Sequence, residues 1–172
     1  IVFLLGLVAC HSKPATTSEV RWSFSADSAY RYINQQMAFG YRIPNTASHQ
    51  ACGDWLVSEL QRHGAAVTQQ QGTMTNYAGH ALPLCNIIAH YPGTTPYSIL
   101  LCAHWDTRPW SDEEEDYDNR FLPVPGANDG ASGVGILLEI ARQLHALQRT
   151  DQAAQLPTID IIFFDAEDMG TP

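Results

Sequence analysis

Apolar residues recur along this chain at two different periods, and the switch between them lays out the fold before any chemistry is considered. Between residues 27 and 39, Tyr30, Ile33 and Met37 fall three or four positions apart, the spacing of one helix face. Between 48 and 63, Ala51, Trp55, Leu56 and Leu60 repeat that spacing until Gly64 supplies a stop. The period then shortens. "AAVTQQQGTMT", "LCNIIAHY" and "SILLCAH" read as strands, the last as an apolar run of the kind buried on both faces of a sheet. A long loop containing Pro109, Pro123 and Pro125 follows. "GASGVGILLEIARQLHAL" restores helical spacing through Ile136, Ile140 and Leu144, and "TIDIIFF" is another buried strand. Strand, helix, strand predicts a right-handed crossover, and with it an α/β fold: an open mixed sheet with helices on both faces.

Composition sharpens the outline in two places. With 172 residues and 45% hydrophobic positions, one core that buries roughly two-thirds of the unfolded surface is the default. Of the eighteen acidic residues, six fall in "DEEEDYD", residues 112–118, so the formal charge of −9 belongs largely to one solvated loop. A single lysine, Lys13, and no basic stripe exclude a nucleic-acid footprint.

The chain opens with "IVFLLGLVAC", too short to span a bilayer and read as the remnant of a signal peptide over residues 1–9, with its charged start missing. Leu7-Val8-Ala9-Cys10 resembles a bacterial lipobox, which makes Cys10 the expected site of lipidation and residues 10–24 a polar tether. The expectation is therefore an exported lipoprotein, membrane-anchored through that lipid, facing the periplasm and monomeric. Oxidising surroundings would allow one disulfide among Cys52, Cys85 and Cys102 and leave one thiol over. No repeat or linker follows the tether, so residues 25–172 form a single domain.

Candidate chemistry gathers where strands end, as it does at the carboxyl edge of open α/β sheets. His104 and Asp106 lie just past "SILLC", and Asp165, Glu167 and Asp168 lie just past "TIDIIFF". Asp129, in "GANDGASG", stands at the start of the crossover helix. Each has a structural reading too: Asp129 as a helix cap, His104 as a core histidine paired with Asp106, the acids after 164 as loop solvation, Trp105 and Trp110 as packing. Three segments converging on one cleft with this much negative charge instead call for a divalent cation.

The wording of these segments is more specific than their charge. "LLCAHWDTR", "PGANDGASGVGILLEIAR" and "IIFFDAED" resemble three consecutive signatures of the zinc exopeptidase family, and among its branches those of the animal-type glutaminyl cyclases, the glutaminyl-peptide cyclotransferases. "FGYRIPNTASHQACGDWLVSELQRHG" is similar to the family's N-terminal segment. The resemblance implies one zinc ion held by Asp129 and Asp168, with Glu167 as the proton-transferring residue. His104 would lie by the pocket without binding the ion, oriented by Asp106, and Asp165 would close the turn. It also implies a third zinc ligand, a histidine, beyond residue 172, and hence a domain truncated at its C-terminus.

Asp168 stands where the family usually places glutamate and is one methylene shorter, so either the backbone there comes closer to the ion or the coordination differs. The implied activity is cyclisation of an N-terminal glutamine of peptides or proteins to pyroglutamate with release of ammonia. An aminopeptidase on the same scaffold, with two metals and His104 as a ligand, is the alternative. Against it stand the 24 residues between His104 and Asp129, a longer loop than aminopeptidases usually show, and "FFDAED" in place of their common "SAEE". A non-catalytic binding lipoprotein is the remaining alternative.

Overall fold

The computed structural model of the chain describes residues 21–76 and 78–169. Cys10, the signal-peptide remnant and most of the tether lie outside them. The elements run α1 (Ala26–Ala38), α2 (Ala47–Arg62), β1 (Ala66–Thr75), β2 (Ala81–Tyr91), β3 (Ser98–His104), α3 (Ala131–Leu147) and β4 (Thr158–Phe164). Among the described residues no helix is long and apolar enough to cross a membrane.

Local chemistry sets the helix ends. Ser25 caps α1 by accepting the N–H of Ser28, and Thr46 caps α2 by accepting that of His49. At the far end of α2 the N–H of Gly64 returns to Gln61 O and that of Ala65 to Leu60 O, the double closure that ends a helix at a left-handed residue. The Tyr32 hydroxyl and His63 Nε2, 2.8 Å apart, join α1 to this end of α2, and His63 is buried.

The strands form one open mixed sheet in the order β1-β2-β4-β3. β2 is antiparallel to both β1 and β4, while β3 and β4 are parallel, as expected of neighbours joined through α3. Ile87, Ala89 and Tyr91 of β2 and Ile159, Ile161 and Phe163 of β4 point to one face and pack with Leu56, Leu60, Leu138 and Leu144 from the helices.

Three expectations change in detail. The helices of the described residues all lie on that one face, rather than on both; on the other, Leu100 is 58% and Phe164 is 41% exposed. "SILLCAH" is not buried on both sides, because β3 is an edge strand here and pairs with β4 alone among the described strands. Leu56 and Leu60 of α2 and Leu144 of α3 are buried as read, but the stripe of α1 and the start of that of α3 are shifted. α1 buries Ala29, Tyr32 and Gln36 while Tyr30 is exposed, and α3 buries Val134, Leu138 and Ala141 while Ile136 is exposed. Gln36 can take a core position because its amide donates to Tyr32 O and Ala131 O. Cys52, Cys85 and Cys102 are all free thiols, buried, half-buried and exposed in turn.

Candidate metal centre

β3 and β4 end side by side, His104 opposite Phe164, so the residues that follow each strand share one edge of the sheet. The two extensions are tied together: Trp105 N–H donates to Phe164 O at 3.0 Å. Asp106, fully buried, then accepts two backbone donors from beyond β4, Glu167 N–H on Oδ1 and Asp168 N–H on Oδ2, both at 3.2 Å. Its Oδ1 also lies 3.4 Å from His104 Nδ1. One carboxylate thus holds the short 3-10 turn Glu167–Met169 and lies beside the imidazole. That turn needs holding, because Ala166 enters it at φ 60, a left-handed conformation uncommon for a residue with a side chain.

The third segment arrives from the loop before α3. Gly130 takes the capping position at φ 86 with no side-chain cap bond, so Asp129 is not a helix cap. Its carboxylate instead meets His104 Nε2 at 2.8 Å. A side chain on Gly130 would begin 2.8 Å from Asp106 O, and one on Gly126 would begin 2.3 Å from Thr107 Cγ2, so the loop can approach β3 this closely only with glycine at both positions.

Arg42 fastens the same junction. It is fully buried, and its guanidinium donates to Trp105 O at 3.2 Å, Pro125 O at 3.3 Å and Gly126 O at 2.7 Å, while its own carbonyl accepts Thr107 N–H. Burial lowers its pKa, and the nearby Asp106 offsets this only in part.

His104, Asp129 and Asp168 each offer a ligand atom, all within 4.8 Å of one another, a set of one-ion size. The electrostatics fit a cation. The pKa of His104 is raised to about 9, first by its neighbour Asp106 and, against burial, by Asp129. That of Asp168 is pushed up to about 6, first by burial and then by the charges of Asp106 and Asp129. His104 Nδ1 is buried without a proper hydrogen bond, and acids outnumber the one imidazole, so a divalent cation is the economical neutralising partner. Imidazole and carboxylate oxygen are donors that suit zinc.

The structure brings Asp129, Asp168 and His104 together, with Asp106 beside His104 and Glu167 exposed next to Asp168. The hydrogen bonds of Asp106 go to the backbone of the turn. Asp165 sits on the other side of that turn, where its carboxylate meets His49 Nε2 at 2.6 Å and accepts Cys85 N–H at 2.7 Å. Trp105 packs in the core, while Trp110 and the acidic run lie at the surface. Arg42 and His49 escaped the sequence reading. A lone arginine in a loop and a histidine in the first turn of a helix carry no periodicity or spacing that marks them.

Fold and site together define a zinc exopeptidase-like α/β protein. Residues 86–171 match the model of Peptidase family M28, and the chain belongs to that family. Among solved structures it is similar to the glutaminyl cyclase of Tannerella forsythia, with 51% identity and a TM-score of 0.79 over 87% of this chain and 50% of that one. It is similar in the same degree to a Zn-dependent exopeptidase from Parabacteroides distasonis, with 54% identity and a TM-score of 0.78 over 87% of this chain and 49% of that one. Among curated proteins, leucine aminopeptidase 1 of Paracoccidioides brasiliensis is 23% identical over 163 residues, 92% of this chain and 39% of the relative. The chain thus spans about half the length of the two solved relatives and 39% of the curated one.

Proposed function

We propose that the full-length protein is a zinc-dependent glutaminyl-peptide cyclotransferase acting on peptides and proteins that begin with glutamine. The observation that carries this reading is that Asp129 and Asp168 offer carboxylate oxygens within 4.8 Å of each other, with the exposed Glu167 next to Asp168. The likeness to the Tannerella forsythia cyclase supports it. Asp129 and Asp168 would hold a single ion, and His104, hydrogen bonded to Asp129, would orient that carboxylate.

In the reaction the α-amine nitrogen of the substrate bonds to its own side-chain amide carbon, the bond from that carbon to the amide nitrogen breaks, and ammonia leaves. One proton travels from the attacking to the leaving nitrogen, and no water is consumed. Glu167 is the group for that transfer: its backbone is pinned by Asp106 while its carboxylate stays exposed. When bound, zinc supplies a Lewis acid for the amide carbonyl oxygen. Because nucleophile and electrophile belong to one residue, walls that hold that residue folded supply much of the rate.

The full-length protein, saturated with zinc and dialysed, is expected to retain about one ion per chain. It should convert glutamine-starting peptides to products lighter by one ammonia and leave alanine-starting peptides whole, as read by mass spectrometry. A second reading, a two-metal aminopeptidase, is favoured by the place of His104 inside the donor set and by the likeness to a Zn-dependent exopeptidase. Two retained ions with release of N-terminal residues would establish it instead.

The reading extends to location: a monomeric enzyme exported and tethered by a lipid on Cys10, supported by the apolar run and lipobox-like sequence before that residue. Palmitate labelling of the full-length protein in a bacterial host, lost in Cys10→Ser, is the test.

A further inference from the structure

We infer that His49, in the first turn of α2, is a positioning residue for the turn that carries Glu167 and Asp168. The inference deepens the proposed function and rests on it for its catalytic consequence. His49 touches both strand extensions from behind the site. Its Nε2 lies 2.6 Å from Asp165 Oδ1, both side chains being buried, and a carboxylate partner requires that this nitrogen carry the hydrogen. Its ring stacks on Trp105 at 4.0 Å and an interplanar angle of 15°. Trp105 is the residue between His104 and Asp106; Asp165 is the residue before Ala166.

The turn is therefore anchored at two ends by different groups. After Ala166, Asp106 holds the N–H groups of Glu167 and Asp168. Before it, Asp165 is held at three points: by His49, by Cys85 N–H, and through its own N–H to Asn86 Oδ1 at 2.9 Å. A non-glycine residue at positive φ keeps that conformation only where its surroundings over-determine it, and these contacts do so. Of the three anchors on Asp165, two come from β2, the Cys85 N–H and the Asn86 side chain; His49 alone comes from a helix. It makes the spacing between α2, Trp105 and Asp165 a single unit. α2 is a firm base for this, because Thr46 caps it through His49 N–H itself.

His49 also borders a cavity of about 730 Å³ with Trp105 and Asp165, and that cavity is not lined by His104, Asp129, Glu167 or Asp168. It is thus placed to act through the turn and not on substrate. Functional side chains need such a supporting layer to stay within a fraction of an ångström of working geometry.

The test uses the full-length protein. His49→Phe keeps the stack on Trp105 and removes the donor, whereas His49→Gln returns a donor of similar reach. Amide hydrogen exchange in the metal-free protein is compared at Glu167 and Asp168 on one hand and at Ile161 in the core of β4 on the other. His49→Phe is expected to speed exchange at Glu167 and Asp168 by about tenfold more than at Ile161, and to lower kcat for cyclisation by about tenfold with KM within about twofold. His49→Gln should recover most of both. Uniform acceleration at all three amides, or an unchanged kcat, would overturn the inference and leave His49 as packing only. Should His49→Phe fail to fold, Asp165→Asn disturbs the same bond at constant size and carries the same comparison. A wild-type protein without cyclase activity would sink the proposed function alone, and the exchange pattern would still decide whether His49 holds the turn.

Discussion

Asp106, just past β3, accepts the backbone N–H of Asp168, just past β4, at 3.2 Å, and the N–H of Glu167 at the same distance. The carboxylate of one strand end thereby sets where the acids of the other can point. Asp106→Asn should be costly, since the amide nitrogen of asparagine would set one donor against another. We expect a loss of about 1–3 kcal/mol in urea unfolding and a fall of about 10–100-fold in zinc affinity, measured by competition with a chromophoric chelator. Wild-type zinc affinity in this variant would mean that the clamp serves the fold and not the ion.

Glu167 and Asp168 are neighbours with different surroundings, one exposed and one half-buried among acids. In the full-length protein, Glu167→Gln should keep its zinc and lower kcat by about 10²–10⁴. Asp168→Asn should lose zinc, with activity partly restored at high zinc concentration. Metal content and turnover measured together on both variants decide the assignment, and the reverse pattern exchanges the two roles.

How far such roles can be read from sequence depends on where the information lies. β3 and β4 are legible to the residue, because a strand of one apolar run between polar turns has sharp ends. The site acids are legible because they follow those ends. The place of β3 among the described strands was not legible, since a run such as Ile99-Leu100-Leu101 looks the same at an edge as in the middle. The stripe of α1 and the start of that of α3 were misplaced because Gln36 and Glu139 are buried through hydrogen bonds, which no hydrophobic pattern records. Arg42 and His49 were missed for a related reason. Their partners are backbone carbonyls and an acid 116 positions away, and contacts of that kind leave no local mark.

Stability should depend on pH through His63. Burial, helped by the nearby Arg62, pulls its pKa from 6.5 down to about 4 in the folded protein. Between those values the unfolded chain binds more protons than the folded one, so stability is full above pH 6.5 and is lost as pH falls toward 4. Allowing for relaxation around the ring, the loss is on the order of 2–3 kcal/mol. Chemical unfolding of wild type and His63→Gln across pH 4 to 7 should show the difference between them shrinking toward acid pH. Parallel curves would rule His63 out as the source.

Arg42 gives the most demanding case, because it holds the site without offering it a ligand. Its planar fork reaches Trp105 O on one side and Pro125 O and Gly126 O on the other, joining the segment that bears His104 and Asp106 to the loop that delivers Asp129. Arg42→Lys keeps the charge, but a single ammonium cannot serve carbonyls spread on two segments; Arg42→Met keeps much of the bulk and serves none. Buried carbonyls left unpaired cost about 1–3 kcal/mol apiece, so both variants should unfold at markedly lower urea, Met more than Lys. The site should suffer separately from the fold. At a temperature where circular dichroism shows both variants folded, zinc affinity should still fall by about tenfold, as expected when a supporting contact behind a ligand is lost. If affinity in the folded variants stays at the wild-type level, the loop must find its place through Gly126, Gly130 and the Asp129–His104 contact alone, and Arg42 contributes to stability only.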